Sequence, residues 1–544
     1  MTPPSAEALL ARYGAAYKWY ATAAVMMGCI ATVLSSTMFN VAMPDIMGEF
    51  GMGQDQVQWL STAFLAAMTA SMLLTGWALA AYGPLAAYLA ALAAFIAGSV
   101  LGGVSGGQEA LILSRVIQGA SAGLIQPVAM VVILTVFDPS RRGTAMGIYT
   151  LGIVVAPALG PTVGGLLIDN YSWRYICFMG IPLCVAGGAL ALAFLPRREA
   201  RKAGAFDLAG FVLLCAAVGL LLAGLSNGQR EGWDSHFVVG ALLSSACAWA
   251  GFLWREQTCA APLLALGVYK NPRFLAAAVV SFILGMGLFG STYLIPLFVQ
   301  TVQGYTPTEA GLMLMPAGLA IGVVSPLSGR LADRVPPYLC IIVGLVLFGW
   351  SGLLMTDAGT STDFWTFTFW VLLGRLGLGC ITPALNSGAV RVLDSGQMGQ
   401  GAGNINFMRQ LGGAVGVSLL SVYLERQTTL YCQAFNTLQT GSHVAADALD
   451  VVSLLLSRAG VYDDISQALR PEAAYHFLSQ MIAAQGRMLG FRESFLLTAA
   501  VFAVAIVPAW FMCPGGARVR AKGKRGCAAQ PPAVSVRPVR AGEA

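Results

Sequence analysis

The sequence predicts an all-α integral membrane protein with fourteen spanning helices, and three observations predict it. Apolar residues make up 57% of the chain and charged residues 10%, with a mean hydropathy of +0.71. The apolar residues gather into fourteen separate runs of 18 to 25 residues, the length a helix needs to cross a bilayer. Lys and Arg are segregated: with both termini cytoplasmic, 21 of the 31 fall in cytoplasmic segments, 7 in external loops and 3 within spans. That bias is the one membrane insertion imposes on short loops.

Taken in order, the runs at about 19–42, 57–79, 85–104, 111–135, 145–167 and 176–195 form a first six-helix bundle over 1–195. The first follows a polar start holding Arg12 and Lys18. It is too long, and too closely followed by similar runs, to read as a cleaved signal peptide. Runs at about 208–225 and 237–254 lie between basic, Gly/Pro-punctuated segments at 196–206 and 255–273. Residues 196–272 therefore read as a linker carrying two inserted spans. The runs at about 274–298, 310–328, 338–355, 365–388, 403–423 and 494–513 form a second six-helix bundle over 273–513.

Within the second bundle, 425–492 is the one large external loop. It shows helical apolar periodicity at Ala448, Val451, Val452, Leu455 and Leu456, and again at Phe477, Met481 and Ile482. It reads either as an amphipathic cap on the external mouth or as a docking surface for a periplasmic adaptor. Arg141, Arg142, Arg197, Arg198, Arg201, Lys202, Arg330 and Arg334 place their loops inside. The tail 514–544, with Arg518, Arg520, Lys522, Lys524 and Arg525, is expected to be cytoplasmic, as a disordered topology signal or as a contact for anionic membrane lipid.

The net charge of +6 thus reflects topology more than an acidic partner, and no nucleic acid is implied. The 11 cysteines include no C-x-x-C pair, and the 3 histidines show no metal spacing. No Walker A loop is present, so ATP is not the expected energy source. No cofactor, metal site or enzyme chemistry is indicated.

Two features go beyond composition. Gly76-Trp77-Ala78-Leu79-Ala80-Ala81-Tyr82-Gly83-Pro84 after the second run is echoed by Gly329-Arg330-Leu331-Ala332-Asp333-Arg334-Val335-Pro336-Pro337 after the tenth. Arg115 and Arg375 each open R-x-x-x-G, at offsets of 253 and 260 residues for the two echoes. Leaving out the inserted pair, the chain reads as two parallel halves. In the fifth run, Gly152, Ala156, Gly160 and Gly164 stand four apart and form a small-residue stripe that lets another helix approach closely. Pro157 and Pro161 each remove a backbone donor beside it, so a bend is expected there.

The string from Gly147 through Gly164-Gly165 resembles the G-x(8)-G-x(3)-G-P-x-x-G-G signature of antiporters in the major facilitator superfamily, with Ala156 in place of the second Gly. Thr37-Met38-Phe39-Asn40-Val41-Ala42-Met43-Pro44, Ser172-Trp173-Arg174-Tyr175, Leu294-Ile295-Pro296-Leu297-Phe298-Val299-Gln300 and Arg409-Gln410-Leu411-Gly412-Gly413-Ala414 are similar to strings of its fourteen-helix drug:proton antiporters, the EmrB/QacA type. The likeness runs from about residue 30 to 510. It implies the major facilitator fold, two six-helix bundles plus an inserted pair, in a bacterial inner membrane. It also implies export of small lipophilic compounds in exchange for protons by rocking of the halves. Export of one endogenous metabolite (a siderophore, fatty acid or antibiotic) and a non-transporting scaffold or sensor are the other readings.

The resemblance gives Arg115 a role in proton coupling, and an arginine inside an apolar run is costly enough to suggest function. The other reading of Arg115 is a side chain snorkelling to the external end near Glu109. Asp333 and Arg334 match the charged pair that the family uses to close the cytoplasmic gate, their other reading being a solvated pair that only marks the inside face, whereas Ala80 and Ala81 have replaced it in the first half. The gate is therefore expected to be asymmetric. Ser35 stands where the family usually carries an embedded Asp, and none of the 25 acidic residues lies deep in a run. Asp45 is the nearest acid, and its other reading is a plain external-end carboxylate. Phe39, Asn40, Gln126, Phe289, Tyr293, Asn406 and Phe407 are candidates for the substrate cavity, which without a buried acid suits neutral, anionic or weakly cationic ligands.

Overall fold

The computed structural model describes residues 13–513 except 53, 197–205, 260–261, 265, 394–396, 440–450, 456 and 459–469. The basic linker 197–205 and the tail from 514 thus lie outside the described residues. Fourteen long helices account for nearly all the rest, and no strand occurs among the described residues. They are α1 Tyr17–Phe50, α2 Gln54–Met72, α3 Thr75–Gly103, α4 Gln108–Val136, α5 Arg142–Asn170, α6 Arg174–Phe194, α7 Leu208–Glu231, α8 His236–Thr258, α9 Pro272–Thr301, α10 Pro307–Arg334, α11 Pro337–Met355, α12 Phe364–Val390, α13 Met398–Gln439 and α14 Arg470–Phe511.

Thirteen of the expected runs fall on one of these helices each, and the run at 57–79 covers α2 and the short first segment of α3. Twelve of the helices, counted over the described residues, are long and apolar enough to cross a membrane. α2 is outside the twelve, its described apolar stretch being Trp59–Met72, and the side chains of Gln54, Asp55 and Gln58 lie outside the described ones. α5 is the other helix outside the twelve, and the side chains at 154–159, 161 and 162 on it lie outside the described ones.

Helix ends follow local chemistry. Thr306 and Glu309 form a reciprocal capping box ahead of α10, with Pro307 at its first position. Asp363 accepts the backbone N–H groups of Trp365 and Thr366 at the start of α12. α1 stops at Gly51, whose φ of 62° is left-handed. Gly83, at φ 75° and ψ 170°, breaks α3 just before Pro84, so Thr75–Tyr82 is a separate short segment leading into the span.

α1 to α6 pack mainly among themselves, through α2 with α4, α3 with α4, and α1 with α5 and α6. α9 to α14 do the same, through α9 with α13, α11 with α12, and α10 with α12. Glycine sets several of these distances: a Cβ on Gly119 or Gly123 would strike the carbonyls of Phe64 or Met68, and one on Gly285 or Gly412 those of Arg409 or Phe282. The α7–α8 hairpin leans on α2 and α13, with Phe407 against Trp249 and Leu264 buried beside Phe252. Asp207 at the start of α7 accepts Arg255 Nε and Nη2 at 3.1 and 3.0 Å, and buried Glu256 accepts the N–H groups of Leu263 and Leu264.

The end of the molecule at which α1 begins is called here the near end, and the opposite one the far end. At 42 residues each, α13 and α14 are about 63 Å long, roughly twice a hydrocarbon core. Their surplus projects at the far end as an antiparallel pair. Gly486 faces Cys432, Gly490 faces Thr428, and Tyr431 donates to Glu493 at 3.2 Å. Much of the expected 425–492 loop is therefore continuous with the spans. In it Val451–Leu455 is helical, with Val451, Leu454 and Leu455 exposed.

Candidate functional site

An arginine in the middle of an apolar core has to find donors' partners without water. Arg115, 1% exposed, does so among α1, α2 and α4. Its Nε donates to the Leu60 carbonyl at 3.3 Å and its Nη1 to Gln118 Oε1 at 2.7 Å. Gln118 in turn donates to Ser99 on α3 at 3.0 Å. The guanidinium lies between the rings of Phe39 and Phe64, at 4.3 and 4.2 Å from their centroids, so the ring faces supply the partial negative charge. This arginine does not snorkel. Its repeat partner Arg375 donates to Thr292 at 3.2 Å inside the α9–α14 group, beside a cavity of about 20 Å³ lined by Ser291, Ser351 and Thr498.

The two helix groups meet along α5 with α10 and α12, and along α13 with α2, α3 and α4. The close contacts gather in the near-end half. A Cβ on Gly143 would strike the Gly329 carbonyl, Gly147 faces Ser325 and Pro326, Gly76 faces Gln400, and Gly403 faces the Met72 carbonyl. Asp333, at the end of α10, accepts the backbone N–H of Gly143 at 2.6 Å and of Thr144 at 2.9 Å, and the Thr144 hydroxyl at 2.7 Å. These are the unpaired donors and positive pole of the α5 N-terminus, where a carboxylate is favoured. Arg391, at the end of α12, adds an ion pair at 3.3 Å. Adjacent Arg334 is exposed and points elsewhere, so the charged partner of Asp333 is Arg391. In the first-half copy Ala80 offers no acceptor, and Gly76 and Leu79 meet Gly399 and Gln400 of α13 by packing alone.

This sealed half also holds polar groups without a protein partner. Ser325 Oγ, both ends of the Asn386 amide and Asn404 Nδ2 are buried and make no hydrogen bond. Asn386 lies one turn before Val390, which packs into the core of the first helix group. Farther along α13, Asn406 donates to Met130 Sδ of α4 at 3.5 Å and accepts from Arg409 Nη2. Arg409 also interacts with the hydroxyl of Tyr149 on α5, which donates to the Gln126 carbonyl at 3.2 Å. Arg409 is half-buried, while Tyr149 and Asn406 are closed over.

The small-residue stripe serves contacts inside the first group. Gly152 faces Met26, Gly160 faces Thr37 and Gly164 faces Met38, all on α1, which accounts for the α1–α5 packing. The side chains of Pro157 and Pro161 lie outside the described ones, as does that of Asn40.

Of the cavity candidates, Phe289 and Tyr293 are half-buried on α9, and Tyr293 shares a hydrogen bond with Ser421 at 3.2 Å. Asn406 reaches across the junction of the two groups to Met130, and Gln126 is buried on α4. Phe39 is buried on Arg115, and Phe407 packs on the inserted hairpin. Asp45 is exposed on the last turns of α1, and Ser35 is buried with its hydroxyl unpartnered. At the far end Glu49 accepts Trp173 Nε1 at 2.6 Å and pairs with Arg174 at 2.6 Å. The hydrogen bonds from Trp173 and then Arg174 hold its carboxyl below the usual glutamate range. Tyr149, Asn386, Arg391 and Glu49 had no motif to announce them.

With this geometry in place, the comparisons are specific. Residues 25–417 match the family model described as Major Facilitator Superfamily. The chain is 28% identical over 501 residues to the multidrug export protein EmrB of Haemophilus influenzae, covering 91% of this chain and 95% of that one. It is 27% identical over 506 residues to the fatty acid resistance protein FarB of Neisseria gonorrhoeae, covering 92% and 97%. With the tetracenomycin C resistance and export protein of Streptomyces glaucescens it shares 28% over 407 residues, covering 75% and 76%. Among solved structures, the human organic anion transporter MFSD10 has the same fold, with a TM-score of 0.60 at 13% identity over 90% of this chain and 99% of that one.

Proposed function

The chain belongs to the major facilitator superfamily, a transporter family, and from that premise we propose that it exports lipophilic drugs and other toxic compounds in exchange for protons. The observation that carries the reading is the uneven seam between the two helix groups. Close contacts concentrate at the near end, while Arg409 remains half-buried farther along. Rocking residues 1–195 against 273–513 exchanges one closed end for the other around a site at mid-depth. We place the near end and both termini in the cytoplasm because Arg141, Arg142, Arg330 and Arg334 gather there, and the protein in the bacterial inner membrane. The structure is then the state closed to the cytoplasm, and Asp333 is its latch. The projecting α13–α14 pair is on the periplasmic side, where an adaptor has a surface to grip.

Proton coupling is the demanding part of the reading. No carboxylate is embedded in the described spans away from the helix ends, so of the three embedded arginines we assign coupling to Arg115, with Asp45 the nearest acid to Ser35 along α1. The test is transport by the purified protein in proteoliposomes under an imposed pH gradient, with dye and proton flux followed together. Arg115→Ala is expected to be inactive, Asp45→Asn to be impaired, and Ser35→Asp to shift the pH dependence. Dye movement without proton flux, with Asp45→Asn at the wild-type rate, would sink antiport and leave a facilitator.

The relatives named for fatty acid and for tetracenomycin C resistance favour a second reading, export of one endogenous metabolite of that kind. A substrate panel in the same assay separates a narrow from a broad exporter.

A further inference from the structure

We propose that Arg409 recognises an anionic group, so that the exported class is lipophilic organic acids in their ionised form, carrying a carboxylate or sulfonate on an apolar body. The inference rests on the export reading above and names the substrate class of that same mid-depth site.

Three arginines lie within the spans, and only one faces the seam. Arg115 is shut inside the first group between Phe39 and Phe64, and Arg375 inside the second against Thr292. Arg409 sits on α13, with Asn406 and Met130 on one side and Tyr149 of α5 on the other. A ligand touching it therefore touches both halves. From Met398 at the sealed end it is eleven residues along the helix, about 16 Å, which is half the thickness of a hydrocarbon core.

Its named partners are neutral, an amide oxygen and a phenol. Of five N–H donors on a guanidinium, those two partners occupy only part. Glu49 with Arg174, Asp207 with Arg255 and Asp333 with Arg391 pair at helix ends, and no acid is among the named partners of Arg409. A half-buried guanidinium without a counter-charge favours a carboxylate or sulfonate, which it can hold by two parallel hydrogen bonds. The surroundings suit an apolar body: Phe289 lies against Gly413 and Met286 against Gly416, one and two turns farther along α13.

The probes are anilinonaphthalene sulfonate, its uncharged parent phenylnaphthylamine, and cationic ethidium, each assayed for transport in proteoliposomes and for equilibrium binding by fluorescence. Wild type is expected to favour the sulfonate over the parent. Arg409→Gln should lower that preference by about 10-fold or more, with Arg409→Lys intermediate because it keeps the charge and loses the fork. Asn406→Asp, which sets a carboxylate against the guanidinium, should lower the preference likewise even if Arg409→Gln fails to insert. An unchanged ratio in these variants, or wild-type movement of the parent and ethidium but not the sulfonate, overturns the anion site and leaves export standing. Movement of none of the three overturns the export reading itself.

Discussion

Asp333 holds Thr144 twice, through its backbone N–H at 2.9 Å and its hydroxyl at 2.7 Å, and so ties the end of α10 to the start of α5 across 189 residues of chain. Hydrogen bonds to a charged group contribute about 1.5–3 kcal/mol each. Asp333→Asn is expected to expose a cysteine placed at Ser325 to a membrane-impermeant thiol reagent in inside-out vesicles at least about 10-fold faster. Arg391→Ala should act in the same direction. Arg334→Ala should label at the parental rate, since Arg334 takes no part in the contact.

Gly160 is the tightest point of the stripe that cannot yield. A Cβ there would collide with the hydroxyl of Thr37, whose own hydrogen bonds to Val33 and Leu34 fix it. Gly160→Leu is expected to destabilise the α1–α5 packing by about 1–3 kcal/mol or more and abolish efflux at normal expression. Gly164→Ala, against Met38 at 3.3 Å, should retain transport. Equal efflux by both variants would remove the packing argument.

Asn386 predicts a change of the opposite sign. Its amide is buried with neither end bonded to protein, and an unsatisfied polar group costs about 1–3 kcal/mol. Asn386→Leu, close in volume, is therefore expected to raise the melting temperature in detergent while slowing efflux, because it favours the sealed state. A lower melting temperature would show that the amide is satisfied.

Glu49 predicts a pH dependence. Its carboxyl is held below the ordinary glutamate value by Trp173 and Arg174, so the clamp contributes fully above the unfolded pKa, about 4.3. It is lost only as pH falls through the lower folded value. The difference in melting temperature between wild type and Glu49→Gln should be constant from pH 8 to 5 and close below about pH 4. A difference that closes between pH 7 and 5 contradicts the assignment.

Sequence made the helices legible because hydropathy is a local property, and it made Arg115 conspicuous for the same reason. It could not say how Arg115 is housed. Glu109, six residues earlier, suggested a helix end, whereas Phe39 and Phe64 come from two other helices to close over the charge. Asp333 was visible in its motif, yet its neighbour Arg334 looked like the partner. The real partners are 190, 189 and 58 residues away. The surroundings of Phe39 and Phe407 were not legible because an aromatic on a wholly apolar helix carries no direction: periodicity separates faces only where one of them is polar.

The length of α13 has a mechanical consequence. The same helix that carries Arg409 at the seam runs without a break to Gln439, a further 30 residues or about 45 Å. Each degree of tilt about Arg409 thus swings the tip through about 0.8 Å, and α14, clasped alongside, must follow. A fluorophore at the tip would read the stroke from outside the bilayer. The lever also runs the other way: a load fixed to the tip would brake the closing of the seam some 45 Å below.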